Sequence, residues 1–78
     1  MLDELPTRRI TAALRFLATE ARISQEKLAT RAGMSQSAVG RRLHGDTAIT
    51  LEDLDTLAGA LGYDVSITLT AKTAVLAA

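Results

Sequence analysis

Residues 25–44, QEKLATRAGMSQSAVGRRLH, constrain the fold more than any other stretch of the chain. Gly33 stands where a tight turn needs a positive φ, which glycine adopts without steric cost. Ala29 is small enough for a second helix to cross close to it. Ser35 is a favourable N-cap for that helix, and Val39 is the apolar residue that would hold it against a core. The segment therefore predicts two short helices joined by a tight turn.

Five residues in this segment, from Gln25 to Val39, follow the spacing Gln-x3-Ala-x3-Gly-x2-Gln-x2-Val. In this pattern the chain resembles the lambda-repressor-like (Cro/repressor, Xre-type) helix-turn-helix family, over about residues 8–62. The resemblance implies that the second helix of the pair enters the major groove of double-stranded DNA and presents its N-terminal residues to the bases. The candidate DNA-binding residues are Gln25, Ser35, Gln36, Ser37, Gly40, Arg41, Arg42 and His44.

Side-chain chemistry gives some of these residues distinct roles. The amide of Gln36 can make two hydrogen bonds to an adenine, and Arg41 is the best candidate for guanine, whose O6 and N7 atoms form the commonest specific contact with arginine. The resemblance assigns Gln25 to a phosphate contact that also supports Gln36. Gly40 permits either a close approach to a base or tight packing against the first helix of the pair.

Arg42 departs from the family pattern, because that position is usually apolar and here the apolar residue follows at Leu43. Either the helix is rotated slightly, or the stem of Arg42 lies over the core and its charge reaches a phosphate. His44 has no cysteine and no second histidine to join it. A phosphate contact or an interaction with the helix dipole therefore fits His44 better than a metal site does. We expect no metal and no cofactor.

Apolar periodicity predicts four helices, at about residues 7–22, 25–32, 36–44 and 51–61. Thr50 and Asp53 form a capping box before the fourth helix, and Ser24 caps the second. Phe16 falls outside the apolar stripe of the first helix, so it either widens the core or contacts something beyond the four helices. The residues expected to face the core are Ile10, Ala13, Leu14, Leu17, Ala18, Ala21, Leu28, Ala29, Ala32, Val39, Leu43, Leu51, Leu54, Leu57, Ala58 and Leu61.

The pattern changes after Gly62. In DVSITLT, residues 64–70, Val65, Ile67 and Leu69 alternate with polar residues, which predicts a β-strand. The expected fold is therefore mainly α, a four-helix DNA-binding domain at residues 1–62 followed by a strand and tail at 63–78. A strand needs a partner for its backbone groups. That partner is either the same strand of a second chain, making a homodimer through Val65, Ile67 and Leu69, or residues 72–77 of the same chain.

The charges are unevenly distributed, although the net charge of the chain is zero. Residues 8–44 contain eight basic and two acidic residues, a net charge of +6. Residues 45–64 contain five acidic residues and neither lysine nor arginine, a net charge of −5. The positive part coincides with the helix pair, as expected for an electrostatic footprint on DNA.

These features favour a sequence-specific DNA-binding transcriptional regulator, a small Cro-like repressor of a phage or prophage that binds a two-fold operator as a homodimer. The alternative is an antitoxin or adaptor that mainly binds a partner protein, through its apolar tail and acidic fourth helix. No nucleophile and base stand at a suggestive spacing, so we expect neither an enzyme nor a small-molecule ligand. Since no apolar segment approaches the about 18 residues of a membrane span, we expect a soluble cytoplasmic protein without a membrane partner.

Overall fold

The computed structural model describes residues 6–73 of the chain. They form four helices, α1 at Pro6–Glu20, α2 at Gln25–Ala32, α3 at Gln36–His44 and α4 at Leu51–Ala60. The prediction of a mainly α fold with four helices is therefore confirmed, with helix ends within two residues of their expected positions. No helix in this range is long and apolar enough to cross a membrane.

Local hydrogen bonds start three of the helices where the sequence predicts. The hydroxyl of Ser24 accepts a hydrogen bond from the backbone N–H of Lys27 at 3.1 Å, and Ser35 caps α3 in the same way. Thr50 and Asp53 form both hydrogen bonds of the capping box at the start of α4. Gly33 ends α2 with a φ of 69°, so the predicted left-handed turn is confirmed.

The core lies where α2 packs against α3 and α4 and α1 packs against α3. Leu28, Val39, Leu43 and Leu57 have fully buried side chains, one or two from each of the last three helices. Ile23 and Ile49, from the loops between helices, pack against this core. The buried core residues are Leu14, Ala18, Leu28, Ala29, Val39, Leu43, Leu57, Ala58 and Leu61. The pair of helices α2 and α3 is thus packed against α4 through α2 and against α1 through α3.

Three residues expected in the core are exposed. Ala13 lies at the edge of the α1 stripe and Ala21 follows the end of α1 at Glu20, so both face solvent. Thr11 is buried instead, and its hydroxyl donates to the carbonyl of Arg8 at 3.1 Å. Leu51 is 67% exposed because it opens the first turn of α4, one turn before the helix reaches the core at Leu54. Helical spacing fixes the direction of a side chain but not whether a neighbour lies opposite it.

Residues 63–72 have no regular secondary structure, so the predicted strand is not formed within the described part of the single chain. None of the backbone hydrogen bonds found among the described residues involves residues 64–70. Val65 packs against the core of its own chain, while Ile67 is 59% and Leu69 is 93% exposed. The predicted intrachain pairing with residues 72–77 falls largely outside the described residues.

Candidate nucleic-acid interface

One side of α3 carries the side chains predicted to contact DNA. Since an α-helix turns by about 100° per residue, five of the eight candidates fall within an arc of about 140°. All five face solvent except the half-buried glycine. Val39 and Leu43, which anchor α3 in the core, are at most 1% exposed. The reading face of α3, as we call this arc, consists of Gln36, Ser37, Gly40, Arg41 and His44.

The start of the reading face is held by Ser35. Its hydroxyl oxygen accepts a hydrogen bond from the backbone N–H of Ala38 at 3.1 Å, and it lies 3.5 Å from the hydroxyl of Ser37. Ser35 was predicted both as the N-cap and as a DNA-binding residue. The capping role is confirmed, and it fixes where α3 begins and therefore where Gln36 and Ser37 stand.

Gly40 is a contact point between the two helices of the pair. A methyl group at position 40 would lie 3.3 Å from Oε1 of Gln25, which is tighter than ordinary van der Waals contact. The side chain of Gln25, half-buried at the start of α2, therefore passes directly over Gly40. Of the two explanations that the sequence leaves open for Gly40, the structure shows the packing against α2.

Arg42 lies on the opposite side of α3 from the reading face. Its Nε donates to Oδ2 of Asp53 at 2.8 Å, and its Nη1 donates to the carbonyl of Ala38 at 3.1 Å. The two side chains of the ion pair are 22% and 20% exposed. The stem of Arg42 therefore lies at the edge of the core, as one of the two sequence alternatives requires, but its charge meets a carboxylate of α4 instead of pointing outward.

The ion pair changes the acidity of Asp53. The hydrogen bond from Arg42 lowers the pKa of the Asp53 carboxyl below its ordinary value, assisted by hydrogen bonds from Thr50 and opposed by burial. The same oxygen, Oδ2, accepts from the backbone N–H of Thr50 at 3.3 Å. One carboxylate thus closes the capping box of α4 and binds α3 to it.

A second arginine holds the C-terminal end of α3. The Nη1 of Arg15, on α1, donates to the carbonyl of Leu43, and the backbone N–H of Gly45 donates to the carbonyl of Arg42 at 3.2 Å. Carbonyls at the end of a helix lack partners within it, and these contacts supply two of them. Neither partner was predicted from the sequence, since nothing local to Arg15 or Arg42 reveals a contact 28 or 11 residues away.

The other basic residues of the 8–44 segment remain at the surface. Each is exposed, and none forms a salt bridge within residues 6–73. Among residues 6–73 the structure has no pocket. The exposed basic residues outside the two contacts just described are Arg8, Arg9, Arg22, Lys27, Arg31 and Arg41.

Comparison with protein families identifies this arrangement. A family model described as helix-turn-helix matches residues 14–67. The match includes all four helices except the start of α1, and it extends five residues beyond the predicted domain end at residue 62, past Val65, which packs on the core. Comparisons with curated proteins and with solved structures found no match.

Proposed function

The chain belongs to the lambda-repressor-like, Xre-type helix-turn-helix family of DNA-binding proteins, and we propose that it is a sequence-specific transcriptional regulator that reads DNA with α3. The observation that carries this proposal is the solvent-facing reading face of α3, beside the buried Val39 and Leu43 that anchor the helix in the core. A helix anchored in this way can enter the major groove without disturbing the core. The protein would act in the cytoplasm by binding and not by catalysis.

We assign base contacts to two residues of the reading face. Gln36, in the first turn of α3, would make two hydrogen bonds to an adenine, and Arg41 would make two hydrogen bonds to a guanine. Gln25, whose amide lies over Gly40, supports the position of Gln36 and reaches a phosphate. Arg42 is not among the proposed DNA contacts, because its Nε and Nη1 are bound within the protein.

A homodimer would supply the two DNA-binding helix pairs that a two-fold operator requires. A single helix pair reads few base pairs, so useful specificity normally requires two copies on a two-fold operator. The exposed Ile67 and Leu69, in a segment whose backbone groups lack backbone partners among the described residues, support pairing of residues 64–70 between two chains. Val65 is not part of this surface, because it packs on its own core. In this reading the protein is a small Cro-like repressor of a phage or prophage.

The same exposed segment supports a second candidate function. An antitoxin or adaptor would use Ile67 and Leu69, together with the acidic residues around α4, to bind a different protein, with DNA binding secondary. Sedimentation of the purified full chain separates the two candidates. A homodimer whose dissociation constant rises strongly in Ile67→Asp but not in Ser66→Asp, the matched control in the same segment, supports the regulator. A wild-type monomer favours the adaptor.

DNA binding itself is tested by selection from random duplex DNA, followed by titration at several salt concentrations. If about six phosphates are contacted across the dimer, log K should fall against log salt with a slope of about −5. Recovery of a two-fold sequence with this slope supports the proposal. A slope near zero, with no sequence enriched, would refute it.

A further inference from the structure

Helix α1 has an exposed face that the proposed function does not use. Arg9, Ala13, Phe16 and Glu20 recur at spacings of four, three and four residues, which places them within an arc of about 60°. All four are exposed, and Phe16 is 62% exposed. The core residue Leu14 points about 130° away from the centre of this arc. Phe16 therefore does not widen the core, which leaves the alternative that it contacts something outside the four helices.

The pattern of this α1 face is self-complementary. A basic residue, Arg9, stands at one end, an acidic residue, Glu20, at the other, and Ala13 and Phe16 lie between them. If a second α1 lies antiparallel with its centre opposite the same point, Arg9 meets Glu20 and Phe16 meets Ala13, and each contact occurs twice. Two-fold interfaces have this property, because residue i contacts residue j and j contacts i.

The charges at the two ends are available for such a contact. Arg9 and Glu20 are about 16 Å apart along one helix, too far to pair with each other. Neither forms a salt bridge within the described residues. Ala13 is small, which lets a neighbouring helix approach and gives the Phe16 ring a surface to cover.

We propose that the α1 face, consisting of Arg9, Ala13, Phe16 and Glu20, docks against the α1 face of a second copy of this chain with the two helices antiparallel. The occupant is a second copy because a partner of one charge would match only one end of the face. The area is smaller than the about 800 Å² per partner of a standard interface, so the contact is weak and concentration-dependent. It involves different residues from the tail pairing and does not rest on DNA binding.

A charge swap tests the docking in the absence of DNA. Arg9→Glu and Glu20→Arg each turn two attractive contacts into repulsive ones. Since an exposed ion pair changes affinity by a factor of a few, self-association of either variant should weaken about tenfold. In an equimolar mixture the two variants should associate with each other as well as the wild type does, because every contact again joins opposite charges. Arg31→Glu, an equal charge change on α2, is the matched control and should leave self-association unchanged.

Sedimentation equilibrium of the full chain measures these constants, in the wild-type background and with Ile67→Asp to remove tail pairing. Phe16→Ser should also weaken the association, with unchanged helix content by circular dichroism because the ring is mostly exposed. Restoration in the mixture supports the antiparallel contact. A mixture as weak as either variant alone would overturn it, and so would single variants that associate like the wild type. Failure here with intact operator binding would leave the proposed function standing.

Discussion

The ion pair between Arg42 and Asp53 makes a prediction that separates a structural arginine from a DNA-binding one. Each side chain is about one-fifth exposed. Exposed ion pairs contribute about 0.2–1 kcal/mol, whereas hydrogen bonds to charged groups contribute about 1.5–3 kcal/mol. A half-buried pair at 2.8 Å lies between these limits, and we expect a coupling energy of about 1–2 kcal/mol.

A double-mutant cycle of Arg42→Ala, Asp53→Ala and the double variant measures this coupling by urea denaturation. Asp53→Ala should cost more than Arg42→Ala, because it also removes the hydrogen bond to the backbone of Thr50 that completes the capping box. The double variant should cost less than the sum of the two single variants. Coupling below about 0.3 kcal/mol, the usual limit for independent sites, would show that the pair does not stabilise the fold.

The position of Arg42 also predicts how Arg42→Ala affects the salt dependence of DNA binding. Because Arg42 is bound within the protein and lies opposite the reading face, Arg42→Ala should leave the salt dependence of operator binding unchanged, after correction for the fraction of folded protein. Arg31→Ala, an exposed arginine of α2, is the control for loss of a surface cation. A slope that became about 1 unit less negative for each half-site with Arg42→Ala would show that its charge reaches a phosphate.

Four further outcomes are expected. The pKa of Asp53 is lowered in the folded protein, chiefly by Arg42. The ionised carboxylate therefore contributes its full stabilisation above the unfolded pKa of about 3.9, and this stabilisation is lost as pH falls through the lowered folded pKa. The difference in Tm between wild type and Asp53→Asn should shrink below about pH 4. Arg41→Ala should relax specificity at one guanine per half-site at a cost of about 1–3 kcal/mol, measured by competition between operator variants. Gly33→Val should destabilise the protein by about 1–3 kcal/mol in urea denaturation, because φ is 69° there, and an unchanged midpoint would contradict the left-handed turn. Arg22→Gly should raise stability by about 0.5–1 kcal/mol, since Arg22 has a φ of 58° in the hydrogen-bonded turn that ends α1.

The parts of the fold that the sequence predicted depend on interactions a few residues long. Ser24, Ser35 and the Thr50–Asp53 pair each satisfy backbone groups within three residues of themselves, and Gly33 meets the conformational demand of its own turn. Such signals specify where a helix begins or ends without reference to the rest of the chain. The four helices were therefore predictable to within two residues.

Tertiary contacts were not predictable in the same way. The acidic side chain of Asp53 was already explained by the capping box, so nothing in the sequence required a second partner, and Arg42 supplies it from α3. The alternation of Val65, Ile67 and Leu69 is a local signal too, but a strand exists only when another strand pairs with it. Within the described single chain there is no such partner, and the segment remains irregular.

The two bound arginines change how the charge of this domain should be interpreted. Residues 8–44 have a net charge of +6, but Asp53, outside that segment, neutralises Arg42, and Arg15 is directed at a carbonyl of α3. Both arginines hold the C-terminal half of α3, the helix that carries Gln36 and Arg41. Part of the basic charge therefore holds α3 in place within the protein. Because counterion release counts only cations that reach phosphates, about six phosphates per dimer correspond to about three of the six exposed basic residues of each chain, and to neither Arg15 nor Arg42.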